Sequence, residues 1–325
     1  MKNLSTLIVL FILFNSCETA LDIELPSIES KLVVNSYLIT DEYWDTQNQF
    51  LLLSNSIEGM GSLNDYTYTD SFPVISYANA FINELNTIDN DIINTYPLDF
   101  TTNCYCYTNP SFTPKENTTY ELHVEASGYP NIFSTERMPS KPKYTISDFE
   151  MKSSIDQKEE EGELCEFKIL LEDPPNQTNY YRLKIILANN FNDRGTPCTY
   201  QVVDPSFLIP INRYNSSNTY FEGKNGYFTD ELFNGENKQF FIEVEKPKGS
   251  YDHFYIEVVS YSENLYNFNL TRKEQRRDSN NFLFNSEAIF IDSNIEGGYG
   301  VFGGRARSRR AYIPTYYPAN GWIEY

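Results

Sequence analysis

Few residues in this chain have the type and spacing for chemistry, and each points to an ordinary task. Lys2, the apolar run Leu7 to Phe14 and the pair Ser16-Cys17 make an export leader ending at a cysteine thiol. Thioether attachment of lipid at Cys17 is the chemistry that arrangement serves, although Phe14 and Asn15 depart from the usual lipobox. An apolar run this short is well below the roughly 18 residues needed to cross a bilayer as a helix, so cleavage after residue 16 and anchoring through Cys17 are expected. The alternative is an ordinary secretory leader that leaves Cys17 as a thiol. Several acyl chains at about 0.8 kcal/mol per buried methylene would hold the chain on a membrane.

Four further cysteines, Cys104, Cys106, Cys165 and Cys198, would then lie in a compartment that permits disulfides. Cys165 and Cys198 share the second half of the chain and are the candidate pair. Cys104 and Cys106 are expected on one strand face, where a bridge closes only a tiny, strained ring and two thiols are an equal alternative. No CxxC pair or nearby histidine gives a zinc spacing, so no metal is expected. The two histidines, His123 and His253, sit in strand patterns rather than in a nucleophile elbow, and neither G-x-S-x-G nor HExxH occurs. The 45 Asp and Glu leave room for a carboxylate pair, but the acidic run Gln157 to Glu163 reads as a solvated loop. Five glycines between Asn294 and Gly304 (Gly297, Gly298, Gly300, Gly303 and Gly304) lack the Gly-Lys-Ser/Thr ending of a phosphate loop. Positive φ, a bulge or a close backbone approach accounts for them better, and no cofactor is expected.

The elements that must position these residues are mostly strands. The chain has 26 Tyr and 23 Phe but two Trp, a composition that suits half-buried pleated faces. Its formal charge of −20 lacks the basic footprint of nucleic-acid binding. Residues 17–30, acidic and broken by Pro26, read as a tether after the leader of residues 1–16. Residues 31–136 then carry seven short strands with turn signals between them, an immunoglobulin-like or transthyretin-like sandwich. In Tyr120-Glu-Leu-His-Val-Glu the alternation puts Tyr120, Leu122 and Val124 inward and the acids and His123 outward. Pro139 and Pro142 stiffen a linker over 137–143. A second β-rich domain over 144–325 carries one packed helix at about 263–276, with Ser262 as its N-cap. The fold class is therefore mostly β, two sandwich domains. Beyond the helix, Arg305, Arg307 and Arg309 alternate on one strand face. Residues 271–310 hold eight Arg or Lys against five acids, a local +3 in a chain of −20, and this face is a candidate for docking an anionic partner. Pairing of those arginines with the chain's own carboxylates is the competing reading.

Cys17 with its acidic tether, Lys31-Leu-Val-Val-Asn-Ser-Tyr, Tyr120-Glu-Leu-His-Val-Glu-Ala-Ser-Gly, Asn179-Tyr-Tyr-Arg-Leu and, most specifically, Asn294-Ile-Glu-Gly-Gly-Tyr-Gly-Val-Phe-Gly carry a resemblance. Over nearly all of the mature chain it resembles the domain-of-unknown-function 4249 family of Bacteroidota outer-membrane lipoproteins. That resemblance implies an N-terminal lipid, a β-rich body and, from genes often encoded beside those of TonB-dependent outer-membrane receptors, a role in uptake at the envelope. The expected function is a non-catalytic binding or accessory role in uptake at the outer membrane, with no assigned small ligand. A structural or adhesive scaffold is the first alternative, and a carboxylate-dependent glycan hydrolase the second.

Overall fold

The computed structural model describes residues 30–40, 50–56, 73–86, 88–152, 163–189, 195–202, 204–207, 220–221, 226–246, 253–278, 290–308 and 311–314. The leader, Cys17, the tether up to residue 29, most of the acidic loop and Arg309 lie outside them. The first half supplies β1 (Leu32–Thr40), β2 (Phe50–Asn55), β3 (Asn79–Leu85), β4 (Ile92–Thr101), β5 (Cys106–Thr108), β6 (Thr119–Glu125) and β7 (Ile132–Arg137). From the second half come β8 (Lys143–Lys152), β9 (Glu163–Glu172), β10 (Tyr180–Ala188), β11 (Thr196–Pro197), β12 (Tyr200–Val202), β13 (Tyr220–Phe221) and β14 (Gly226–Thr229). They are followed by β15 (Asn237–Lys246), β16 (His253–Tyr261), the helix α1 (Glu263–Asp278), β17 (Tyr299–Arg307) and β18 (Ala311–Pro314). Among the described residues the fold is mostly β with one helix, as the composition predicts, and the two sheets there stay open rather than closing into a barrel.

Strand alternation builds the cores. On β6, Tyr120, Leu122 and Val124 are fully buried while Glu121 and His123 face the other way. They pack with Leu32, Val34, Leu51, Leu53, Ile82 and Ile132 into a first core. The second core lies between the five-stranded sheet β13-β12-β15-β9-β8 and the β10 and β16 end of the large sheet. Phe167, Ile169, Phe240 and Ile242 there meet Leu183, Ile185, Phe254 and Ile256. Each such side chain contributes about 1.5–3 kcal/mol on burial. On the opposite face of the large sheet, Leu265, Tyr266 and Phe268 of α1 cover Val259, Tyr261 and Val301.

The expected linker falls between β7 and β8, but the expected second domain does not stand apart. β17 pairs in parallel with β1 (Val34↔Gly300, Tyr37↔Gly303) and antiparallel with β16, so one sheet runs through both halves in the order β10-β16-β17-β1-β2. Phe302 and Ile295 complete the first core from the far end of the chain. The glycine-rich segment is what makes this insertion fit. Gly300 sits at φ +109 with its α-carbon against the carbonyl of Val34, and a β-carbon on Gly303 would lie 2.6 Å from Cβ of Leu265 on α1. Gly297 packs on Asn131, Gly298 on Leu32 and Ile132, and Gly304 on Met138. Asn294 clasps the segment: its amide donates to the Phe302 carbonyl at 2.7 Å and its side-chain oxygen accepts from the Phe302 N–H at 3.0 Å.

The cysteine expectation is corrected. Cys165 and Cys198 are buried and not joined, whereas Cys104 and Cys106 form a disulfide. Cys165 lies on β9 and Cys198 just before β12, with β15 between those strands. The Cys198 thiol instead donates to the Ile185 carbonyl at 3.4 Å, and burial pushes its pKa up to about 12. Residues 102–105 turn instead of extending, with Tyr105 at φ 52, which brings the flanking α-carbons to 5.2 Å.

Candidate functional site

The seam between the two cores opens into a cleft of about 270 Å³. Three segments meet there: residues 136–140 at the end of β7, residues 177–180 leading into β10, and residues 261–264 at the start of α1. Each is held by local chemistry. The α1 start is tied to β17, because the Ser262 N–H donates to the Gly304 carbonyl at 2.8 Å and the Gly304 N–H donates to the Ser262 hydroxyl at 2.9 Å. The Ser262 hydroxyl thus accepts from the neighbouring strand, which leaves its O–H for other partners, and its carbonyl accepts the first helical bond from Tyr266 at 2.9 Å.

The 177–180 wall is held by a buried acidic network. Asn179 donates from both its backbone and its side chain to Asp230 Oδ2, each at 2.9 Å. Tyr181 donates to Asp173 Oδ1 at 2.7 Å and the Gly235 N–H to Asp173 Oδ2 at 2.8 Å. Burial, reinforced by the nearby Asp230 carboxyl, pushes Asp173 up to about 6. Tyr180 faces the cleft with its ring 5.0 Å from that of Tyr266; burial and its hydrogen bond to Glu263 raise its phenol to about 12.

The floor of the cleft is Glu136. The alternation Ile132, Ser134, Glu136 on β7 is buried throughout, so the strand carries a carboxyl inward where an apolar residue would normally sit. Glu136 is 6 % exposed. Its Oε1 accepts from the Arg137 N–H at 3.0 Å, while Oε2 is buried with no donor in hydrogen-bonding geometry. Burial raises its pKa to about 7, even though Ser262, the Arg137 N–H and Asn264 lie close enough to favour the charged form. Around it stand Asn117, Gln177, Thr178, Asn179, Ser140, Asn264 and, at the rim, Glu263. Such a wall offers hydrogen-bond donors and acceptors and an acid that changes charge near neutrality.

The residues singled out in the sequence lie elsewhere. His123 rests against Glu121, its ring 4.7 Å from Phe81 and 4.9 Å from Phe133, with no nucleophile beside it. His253 is buried against Tyr255. Arg307 turns inward to Glu257 at 2.9 Å, with Lys184 at 3.9 Å from the same carboxylate, so this arginine is paired within the chain rather than presented for docking. Arg305 lies opposite Ile39 of β1 and Tyr261 of β16. Among the described residues no group of three or more His, Cys, Asp or Glu is placed to hold a metal ion, and no helix is long and apolar enough to cross a membrane. Glu136 was missed because it is one of 45 acids; its signal was a charge on the inward register of an alternating strand.

A family model described as "Domain of unknown function (DUF4249)" matches residues 18–311. No curated protein matches the chain. The match spans nearly all of the sequence after the leader, and the chain belongs to the DUF4249 family.

Proposed function

We propose that this chain is an outer-membrane lipoprotein, anchored through lipid on Cys17, that serves as a non-catalytic binding accessory to a TonB-dependent receptor in nutrient uptake. The leader ending at Cys17 and the acidic stretch before β1 support the anchoring. The observation that carries the binding role is the seam cleft, whose walls come from both halves of the molecule and whose floor is a buried carboxyl oxygen with no donor. Sites between packed units favour recognition of small polar molecules, with a few placed polar groups setting orientation. The test is copurification from detergent-solubilised membranes of wild type and Cys17→Ala. Labelled palmitate should enter wild type alone, and a TonB-dependent receptor should accompany it. Equal labelling of both proteins, or capture of no receptor, contradicts the corresponding half of the reading.

One observation favours a second reading, a carboxylate-dependent glycan hydrolase. Glu136 keeps its proton up to about 7, as a general acid must, and Glu263 shares the cleft. Chromogenic glycosides turned over by wild type and not by Glu136→Gln would establish that reading; no turnover by either rejects it for those substrates.

A further inference from the structure

We infer that the seam cleft binds a small polar ligand through a primary ammonium group seated on Glu136. The inference rests on the cleft being a binding site and not on association with a receptor. Three observations carry it. Glu136 is more than nine-tenths buried, lies on the cleft floor, and leaves Oε2 without a hydrogen-bond donor. A buried acceptor in that condition is costly to the fold, and a donor from a ligand removes that cost.

The second observation is the balance of charge around that oxygen. From α1 come Ser262, the Glu263 carboxylate and the Asn264 amide; from β16, Tyr261; from residues 177–180, Gln177, Thr178, Asn179 and the Tyr180 phenol. The Asp173 and Asp230 carboxyls stand behind Asn179. Arg137 is the cleft's one cationic residue, and it occupies the outward register of β7 with its side chain exposed. A hydroxyl from a neutral ligand would satisfy Oε2 but leave an ionised Glu136 without a countercharge. An ammonium supplies three donors and that charge together.

The third is scale and field. A cleft of about 270 Å³ admits a molecule the size of an amino acid or a single sugar ring, and the chain's −20 charge draws small cations toward it. Seating the ammonium favours the carboxylate, so below neutrality Glu136 gives its proton to solvent as the ligand binds: one proton leaves and one N–H···O hydrogen bond forms.

The test uses the full chain purified in detergent, with ethanolamine and 4-aminobutanol as probes, each compared with its N-acetylated form by titration calorimetry. The amines should bind at least about tenfold more tightly than the acetylated forms, since acetylation removes the charge and two donors. Their affinity should rise about tenfold from pH 6 to pH 8, as a carboxyl titrating near 7 passes from mostly protonated to mostly ionised. At pH 6 binding should release close to one proton, read from buffers of different ionisation enthalpy. Glu136→Gln should abolish the pH dependence and weaken amine binding at least about tenfold at pH 8. Equal binding of amine and acetylated probes, an unchanged Glu136→Gln, or no binding of either amine overturns the inference. Should Glu136→Gln fail to fold, the wild-type comparison and proton release decide alone. A failure here leaves receptor copurification untouched, and a failed copurification leaves this result standing.

Discussion

Glu84 on β3 and Glu136 on β7 are buried to nearly the same degree, 4 % and 6 % exposed, yet their surroundings drive them in opposite directions. Glu84 accepts from Lys115 at 2.6 Å, from the Tyr96 hydroxyl at 2.9 Å and from Asn94 at 3.2 Å. Burial works to raise its pKa, but those three hydrogen bonds outweigh it and the carboxyl titrates below its ordinary value. At Glu136 burial wins. Small surface exposure alone therefore does not decide what a buried acid does; how deeply its carboxyl is desolvated and whether a charged donor such as Lys115 reaches it do. Glu84 is a satisfied part of the fold, whereas Glu136 keeps one buried oxygen without a partner.

The largest expected effect is on stability against pH. Glu136 has a folded pKa raised from 4.5 to about 7, so its contribution is fully present below about 4.5 and is lost as pH rises through 7. Chemical denaturation should show wild type losing up to about 3 kcal/mol from this group between pH 4.5 and 9. Asp173, raised to about 6, adds loss in the same direction. In Glu136→Gln the first component should vanish. Glu84 has the opposite sign: its pKa is depressed, so its contribution is present above the unfolded value and lost as pH falls through the folded one.

Gly303→Val should come next, at about 2 kcal/mol, since the added methyls meet Leu265 and overpack the helix. Because Leu265 lies on the first turns of α1, that variant should also open the enclosure around Glu136 and bring its pKa back toward the ordinary range. Glu84 should not respond. Glu84→Gln should cost about 1–2 kcal/mol at pH 7, as charge-assisted bonds to Lys115 and Tyr96 weaken. Smallest is Cys104→Ser with Cys106→Ser. A bridge across one intervening residue constrains little, so melting should shift by less than the other variants and neither glutamate should move. Mass mapping of unreduced peptides should find Cys104 linked to Cys106, with Cys165 and Cys198 alkylated only after unfolding.

Much of this fold was legible in local pattern. Alternation in residues 120–125 predicted which side chains fill the first core, and the change of period after Ser262 predicted the helix, which runs two residues beyond Arg276. What local pattern could not supply was the partner of β17. Its glycines signalled a close approach, but a parallel pairing with β1, more than 260 residues earlier, is a long-range contact with no local signature. The same limit hid the cleft. Ser262 read as an N-cap and Asn179 as part of a strand motif; the β10–β16 pairing that sets Tyr180 opposite Tyr261 brings them together, and the tie of Ser262 to Gly304 of β17 holds them at the seam. Of the two readings of Arg307, pairing within the chain is the one its contact with Glu257 supports; sequence could not choose between them, because Glu257 lies on a strand whose nine residues are all buried and far from Arg307 along the chain.

Carbon-13 NMR of the Glu side-chain carboxyls tests most directly whether the fold leaves the buried Glu136 carboxyl short of donors. With Glu136→Gln used for assignment, the Glu136 resonance should titrate near 7 in the absence of ligand, while that of Glu84 titrates below 4.5. A Glu136 resonance that titrates at or below 4.5, alongside Glu84, would contradict the account.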